Sequence, residues 1–390
     1  MAKIGILTFH GSHNYGSVLQ AYALSKQLEV IGNHQVEIIN LRNSRQRKAY
    51  KIFQFTSGFR GVARTIFAAL IYRQLKTRFN KYESFIQNVL PITKKEFQSG
   101  VQLAQEDFDY DFYICGSDQI WNPICQEFET AYYLDFLKNN KPKIAYAPSL
   151  GRTEFDEYTL KLIARLLQNI NSIAVREKQG AQLLRTLTPK KVDIVCDPVI
   201  LLDKKYWDEI TIEPKIKKPY MLAYFLENNH GNRSLLNFFK QQTGLEVVIL
   251  NEYMRDYLKP YHHAFDTGPG EFLGLFKHAS LVYTNSFHGT AFSTIFNRPF
   301  FTAVSRNKAA DNNNDSRKTD YLERIGLSQR ILKEIPNLDT ILTIDYREPN
   351  KRIEEFRQHS LAYLNNALSC CDKTNGGEMF AKDNNYRSRI

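Results

Sequence analysis

The sequence predicts an α/β protein built from two Rossmann-like, doubly wound domains that face each other across a cleft. Two observations carry this. Short apolar runs alternate with stretches of helical periodicity along most of the chain, which implies parallel βαβ units. A lysine-rich linker, Leu202–Lys218, then divides the pattern into two such series. A chain of 390 residues is also long for one core and suits two.

In the first series Ile4–Phe9 is an apolar strand. Ser17–Val30 places Leu19, Ala23, Leu24, Gln27 and Leu28 at helical spacing. Val36–Asn40 is a second strand. Phe112–Cys115, Lys143–Ala147, Ser172–Val175 and Val192–Cys196 follow as strands, with helices at Leu160–Asn169 and from Glu177 through Leu184. In the second series Tyr220–Phe225, Glu246–Leu250, Leu281–Thr284 and Phe300–Val304 are strands. Ser234–Gln242, Glu271–Lys277 and Thr290–Phe296 are helices between them. The expected domains are therefore 1–203 and 204–347. A helix at Arg352–Leu368 comes next, within 348–370, and then a polar tail, 371–390, expected to be disordered. Ala309–Ser316, with Asn312, Asn313 and Asn314, is expected to be a mobile loop.

The net charge of +11 has one source. Residues 42–82 contain eleven Lys and Arg and no Asp or Glu, so the rest of the chain is neutral. Phe53, Phe55, Phe59, Val62, Ile66, Phe67, Leu70, Ile71, Leu75 and Phe79 are interleaved with these charges. A basic amphipathic insertion of this kind suits an anionic membrane surface. A basic patch is also the footprint of nucleic-acid binding, but no nucleic-acid motif accompanies it, and no nucleic-acid partner is expected. A third reading is a helix that packs its apolar stripe on the domain. The five cysteines are odd in number and lack ligand spacing, so neither a disulfide framework nor a metal site is expected. The apolar run at the N-terminus is short for a secretory signal, and no segment reaches the roughly 18 apolar residues of a spanning helix. These features predict a cytoplasmic protein held peripherally at the membrane.

Ligands of open parallel sheets bind beyond the carboxyl ends of the strands, so the turns there are the candidate site. The first holds His10, Gly11, Ser12, His13, Asn14, Tyr15, Gly16 and Ser17 and opens a helix, whose N–H groups can hold an anion or a hydroxyl. It is not GxGxxG, and no acid stands at the ribose-binding distance, so a dinucleotide is poorly supported. The second is Gly116, Ser117, Asp118, Gln119, Ile120, Trp121 and Asn122. Its polar side chains suit an acceptor sugar, with Trp121 as a stacking face, unless Trp121 is core and Asp118 a helix cap. Arg176 ends an apolar strand, where its fork suits a carboxylate or phosphate, unless it pairs with Glu177. The last turn is Asn285, Ser286, Phe287, His288 and Gly289, followed by a helix from Thr290. Gly289 allows close approach, the helix start favours an anion, and His288 is suited to acid–base work near neutral pH.

Taken in order, His13-Asn14-Tyr15-Gly16-Ser17-Val18-Leu19-Gln20, Gly116-Ser117-Asp118-Gln119-Ile120-Trp121-Asn122, Val175-Arg176-Glu177, Asp197-Pro198 and Asn285-Ser286-Phe287-His288-Gly289-Thr290 resemble the polysaccharide pyruvyl transferase family. The resemblance spans roughly residues 4 to 330. It implies the two-Rossmann fold called GT-B, with the C-terminal helix crossing back to the first domain. It implies phosphoenolpyruvate as co-substrate, no bound cofactor, and a sugar acceptor, lipid-linked or in an oligosaccharide. By it, His288 is the acid–base, and Arg176, Asn285, Ser286, Gly289 and Thr290 hold the donor. His13, Asn14, Tyr15, Gly16, Ser117, Asp118, Gln119 and Trp121 hold the acceptor. Many members carry Arg where this chain has Ser286, so the missing cation is expected from Arg306, Lys308, Arg317 or Lys318.

Two other classes compete. One is a nucleotide-sugar glycosyltransferase of the same fold, although the second domain lacks the two glutamates eight positions apart found in many retaining ones. The other is a non-catalytic scaffold of polysaccharide assembly at the membrane. The sequence leaves a homo-oligomer open.

Overall fold

Strand β1, Lys3–Leu7, is buried along four of its five residues and lies third from one edge of a seven-stranded parallel sheet. Around it are β2 (Gln35–Leu41), β3 (Ile92–Phe97), β4 (Phe112–Cys115), β5 (Lys143–Tyr146), β6 (Ser172–Val175) and β7 (Val192–Ile194), in the order β3-β2-β1-β4-β5-β6-β7. The second sheet contains β8 (Tyr220–Tyr224), β9 (Glu246–Ile249), β10 (His262–His263), β11 (Leu281–Thr284), β12 (Phe300–Ala303) and β13 (Ile331–Leu332). It is also parallel, in the order β10-β9-β8-β11-β12-β13. This computed structural model describes residues 1–53, 58–226, 230–250, 257–304, 316–332 and 341–369. Arg306, Lys308, loop residues 309–315 and the tail 371–390 lie outside the described residues.

Three strands depart from expectation, and each is at or beside a sheet edge. β3 carries Lys94, Lys95 and Glu96 and pairs only with β2, where charge blunts an open edge. β10 and β13 are two-residue edge strands. The linker is also more structured than expected: Lys204–Ile210 is helical and buries Trp207 completely.

Helix α1, Tyr15–Gly32, is buried along nearly its whole first four turns, because it lies between the domains. On the first-domain side Val18, Leu19 and Leu24 join the main core; on the other side Tyr15 stacks on Phe272 at 4.3 Å. The last helix, Arg347–Ser369, lies against the first domain. The Cys196 amide donates to Ser360 at 2.9 Å, and the Tyr363 hydroxyl donates to the Ala145 carbonyl at 2.9 Å.

The basic insertion folds as α2 (Ser44–Ala49), α3 (Phe59–Leu70) and α4 (Tyr72–Asn88). Its inner face packs Phe67, Ile71 and Leu75 around Phe265 of the second domain, and Lys81 pairs with Glu271 at 2.7 Å. Its outer face leaves Val62, Ile66 and Leu70 exposed, at 57%, 57% and 69%. The insertion therefore has one partnered and one unpartnered apolar face. No helix among the described residues is long and apolar enough to cross a membrane.

Candidate active site

The carboxyl ends of β1, β4, β6, β7 and β11 bring polar residues to one buried cluster under the start of α1. Asn14 caps α1, its side-chain oxygen accepting from Gly16 at 2.9 Å and Ser17 at 3.4 Å. Ser17 donates to Asp118 at 2.5 Å. Gln20, one turn further on, accepts from the Ser117 amide at 3.0 Å, so α1 fixes the Gly116–Asp118 turn. Ser117 in turn donates to the Ala147 carbonyl at 2.8 Å and to Asp197 at 3.3 Å.

Arg176 lies at the centre. Its guanidinium meets Asp197 at 2.5 Å, Glu177 at 3.2 Å and Asp118 at 3.6 Å, and it lies over the Phe287 ring. Burial works against its charge, but the three carboxylates prevail and raise its pKa. Burial likewise pushes Asp118 up, yet Arg176, His288, Ser17 and Arg317 hold it below its usual value. From the second domain Arg317 brings its guanidinium nitrogens to 3.2 and 3.3 Å from the Gln119 amide. Three carboxylates thus face two guanidinium groups, and a donor anion must displace some of these contacts to be held here.

His288 enters from the second domain. Ser286 caps the helix Phe287–Ile295 by accepting from the Gly289 amide at 3.3 Å. Gly289 fits because a Cβ there would lie 2.5 Å from the Thr284 hydroxyl. The imidazole rests on Gly16, and its Nε2 is buried with no hydrogen-bond partner among the described residues, 3.8 Å from the Asp197 carboxylate. Burial lowers the pKa of His288 against the opposite pull of Asp197 and Asp118. The imidazole is therefore neutral near pH 7.

Several expected ligand residues have other partners. Trp121 is completely buried, stacks on Tyr133 at 4.5 Å and donates to the Tyr132 carbonyl, so it is a core residue and offers no face to a sugar. Asn14 and Ser286 are helix caps. The Asn285 side chain accepts from the Leu226 amide at 2.8 Å, and the Thr290 hydroxyl donates to the Ser286 carbonyl at 3.0 Å. Lys318 is buried and donates to the Asn285 and Ala303 carbonyls at 2.9 and 3.0 Å, which ties strand ends together. His13 and Tyr15 stand in the wall of a neighbouring cavity, His13 bonded to Glu83 at 2.7 Å and Tyr15 to the Thr267 carbonyl at 2.9 Å. The cluster itself gathers Gly16, Ser117, Asp118, Arg176, His288 and Arg317. It adds four that the sequence did not single out as ligands, Ser17, Gln20, Glu177 and Asp197. The Asp197-Pro198 pair after an apolar run was the available signal for the last.

Two Rossmann-like sheets that face each other in this way have the GT-B fold. A putative UDP-N-acetylglucosamine 2-epimerase from Listeria monocytogenes superposes with a TM-score of 0.50 at 11% identity, covering 97% of this chain and 99% of its own. Also similar are S. aureus MnaA solved with UDP (TM-score 0.48, 14% identity, 94% and 97% covered) and Anabaena HepE solved with UDP and glucose (TM-score 0.48, 10% identity, 94% and 100% covered). Among curated proteins none matches. Residues 14–307 match the polysaccharide pyruvyl transferase family, and the chain belongs to it. It is a transferase of polysaccharide biosynthesis.

Proposed function

We propose that the chain transfers a pyruvyl group from phosphoenolpyruvate to two hydroxyls of a sugar, forming a cyclic ketal and releasing inorganic phosphate. The observation that carries this is His288, a buried imidazole whose Nε2 has no hydrogen-bond partner among the described residues and lies 3.8 Å from a carboxylate, with a pKa lowered by burial. That nitrogen is placed to take a proton, with Asp197 to steady the imidazolium, and then to give it to a carbon atom.

In this reading His288 protonates the donor methylene carbon, which becomes the methyl group. The electron-poor central carbon is attacked by one sugar hydroxyl, whose proton returns to His288. The carbon–oxygen bond to phosphate then breaks as His288 passes its proton to the leaving phosphate, and the second hydroxyl closes the ketal, giving its proton back to His288. Arg176 and Arg317 hold the donor anions once it displaces Asp118 and Gln119 from them. Gly16, Ser117 and Asp118 lie on the acceptor side, and Asp118 orients a hydroxyl. Phosphoenolpyruvate is a co-substrate here, and no bound cofactor takes part. The exposed face of α3 rests on an anionic membrane, where a lipid-linked acceptor is found.

The test is incubation with phosphoenolpyruvate and a panel of sugar acceptors, followed by mass analysis. The expected product carries a pyruvyl ketal, with one phosphate released per product. Phosphoenolpyruvate left intact across the panel, with transfer from a nucleotide sugar instead, would refute the reading.

A further inference from the structure

Beside the His288 cluster, between the basic insertion and the carboxyl ends of β8 and β9, lies a cavity of about 460 Å³. This is the size of a small-molecule cleft, roughly 300–1,000 Å³. Among the described residues of its wall are Lys51, Arg64 and Arg78 and no Asp or Glu. Its charge is thus the reverse of the Arg176 cluster, where carboxylates outnumber guanidinium groups. Lys51 and Arg64 are exposed, and neither forms an ion pair with a described residue. Much of the remaining wall is aromatic, with Tyr50 and Phe79 from the insertion and Tyr224 and Phe225 from the end of β8. At the inner end are His13 and Tyr15, from the same turn as Gly16, which touches His288.

Aromatic walls suit the apolar face of a pyranose ring, since they offer flat contact area without conformational loss. Exposed cations at the rim suit phosphate, through short charge-assisted hydrogen bonds. Phosphoenolpyruvate has no ring to lay on such walls and is small for the cavity. We propose that this cavity is the subsite for a phosphorylated sugar, a glycosyl phosphate or diphosphate. The phosphate lies at Lys51 and Arg64, and the ring extends along Tyr50 and Phe79 toward Tyr15 and Gly16. The subsite rests on the pyruvyl-transfer reading only for what happens after binding.

The experiment is calorimetric titration of the whole chain, without phosphoenolpyruvate, with the 1-phosphates of glucose, galactose, mannose and N-acetylglucosamine. The four parent sugars and UDP are titrated in parallel. At least one 1-phosphate is expected to bind about tenfold or more tightly than its parent sugar, as a lost charge-assisted hydrogen bond implies. Lys51→Ala and Arg64→Ala should each weaken that binding about tenfold, while unchanged thermal midpoints show the fold intact. Equal affinity for the parent sugar, indifference to both substitutions, tighter binding of UDP than of every hexose phosphate, or no binding of any of the four overturns the subsite. Because no donor is present, binding is read apart from the reaction: a hexose phosphate that binds but gains no pyruvyl group when phosphoenolpyruvate is then added supports the subsite and counts against the reaction.

Discussion

Gly16 and His288 touch across the domain interface, with no room for a Cβ between them. An added methyl would lie 2.5 Å from Cγ and Cε1 of the imidazole and closer still to Nδ1. Gly16→Ala should favour α1 by itself, since Ala exceeds Gly by about 1 kcal/mol in helices. It should nevertheless push His288 away from Asp197. A displacement near 1 Å from productive geometry lowers turnover by roughly 10²-fold. The expected result is a folded protein with kcat/KM reduced about that much. Full activity in the variant would show that the imidazole does not work from this position.

His288→Ala should leave the fold in place and lower kcat by about 10²–10⁴-fold, the usual contribution of one acid–base group. The pH profile gives direction as well as size. Burial lowers the pKa of His288 from 6.5, so the imidazolium that protonates the donor is scarce at neutral pH. With His288 acting first as the acid, kcat/KM should rise as pH falls below 6.5, and this limb should vanish in the variant. A limb of opposite slope would assign His288 to the base role alone.

Asp197 couples the two domains, pairing with Arg176 at 2.5 Å and facing His288 at 3.8 Å. Asp197→Asn keeps the shape and removes the charge. Breaking one partner from a buried pair typically costs about 3–5 kcal/mol. Arg176 keeps Glu177 and Asp118, so a loss near the lower end, about 3 kcal/mol, is expected in denaturant titration. Since Asp197 pulls the His288 pKa upward, its loss should move the activity limb to lower pH. An unmoved limb would show that the carboxylate does not act on the imidazole.

Stability should fall with acid in two windows. His10, completely buried against Asn40 and Thr8, and His288 both have folded pKa values below 6.5, chiefly through burial. The unfolded chain then binds more protons, so their contribution is complete above 6.5 and is lost as pH falls. Burial alone would push Glu83 up, but hydrogen bonds from His13 and Arg42 hold it down at about 2 from 4.5. Its contribution is complete above 4.5 and is lost as pH falls toward 2. A thermal midpoint that stays level from pH 7.5 to pH 5 would contradict the first window.

The strands Phe112–Cys115, Ser172–Val175 and Leu281–Thr284 occupy the residues the sequence predicts, because each is a mostly apolar run buried on both faces. The edge strand β3 was invisible for the opposite reason, since Lys94, Lys95 and Glu96 make it look like a loop. In the site, the turns and His288 were legible from position alone. Partners were not: Arg176 is matched by Asp197, 21 residues away, and Trp121 is drawn into the core by Tyr132 and Tyr133 from a later turn. Such pairings arise in three dimensions and leave no local pattern.

The two faces of α3 separate the membrane reading from simple packing. Phe67 is already covered by Phe265, whereas Val62, Ile66 and Leu70 are exposed along one side, with Arg73 and Lys76 exposed just beyond. Lys81 pairs with Glu271 and Arg78 lines the cavity, so neither is a clean probe of a surface. Val62→Ser, Ile66→Ser and Leu70→Ser together should abolish flotation with anionic liposomes while leaving the thermal midpoint nearly unchanged, because these side chains are mostly exposed. Arg73→Gln with Lys76→Gln should weaken flotation by about 2 kcal/mol, near 1 kcal/mol for each basic residue at an anionic surface. The weakening should fade as salt is raised and the surface potential is screened. Flotation indifferent to both sets would mean that the exposed face of the insertion does not bind membranes.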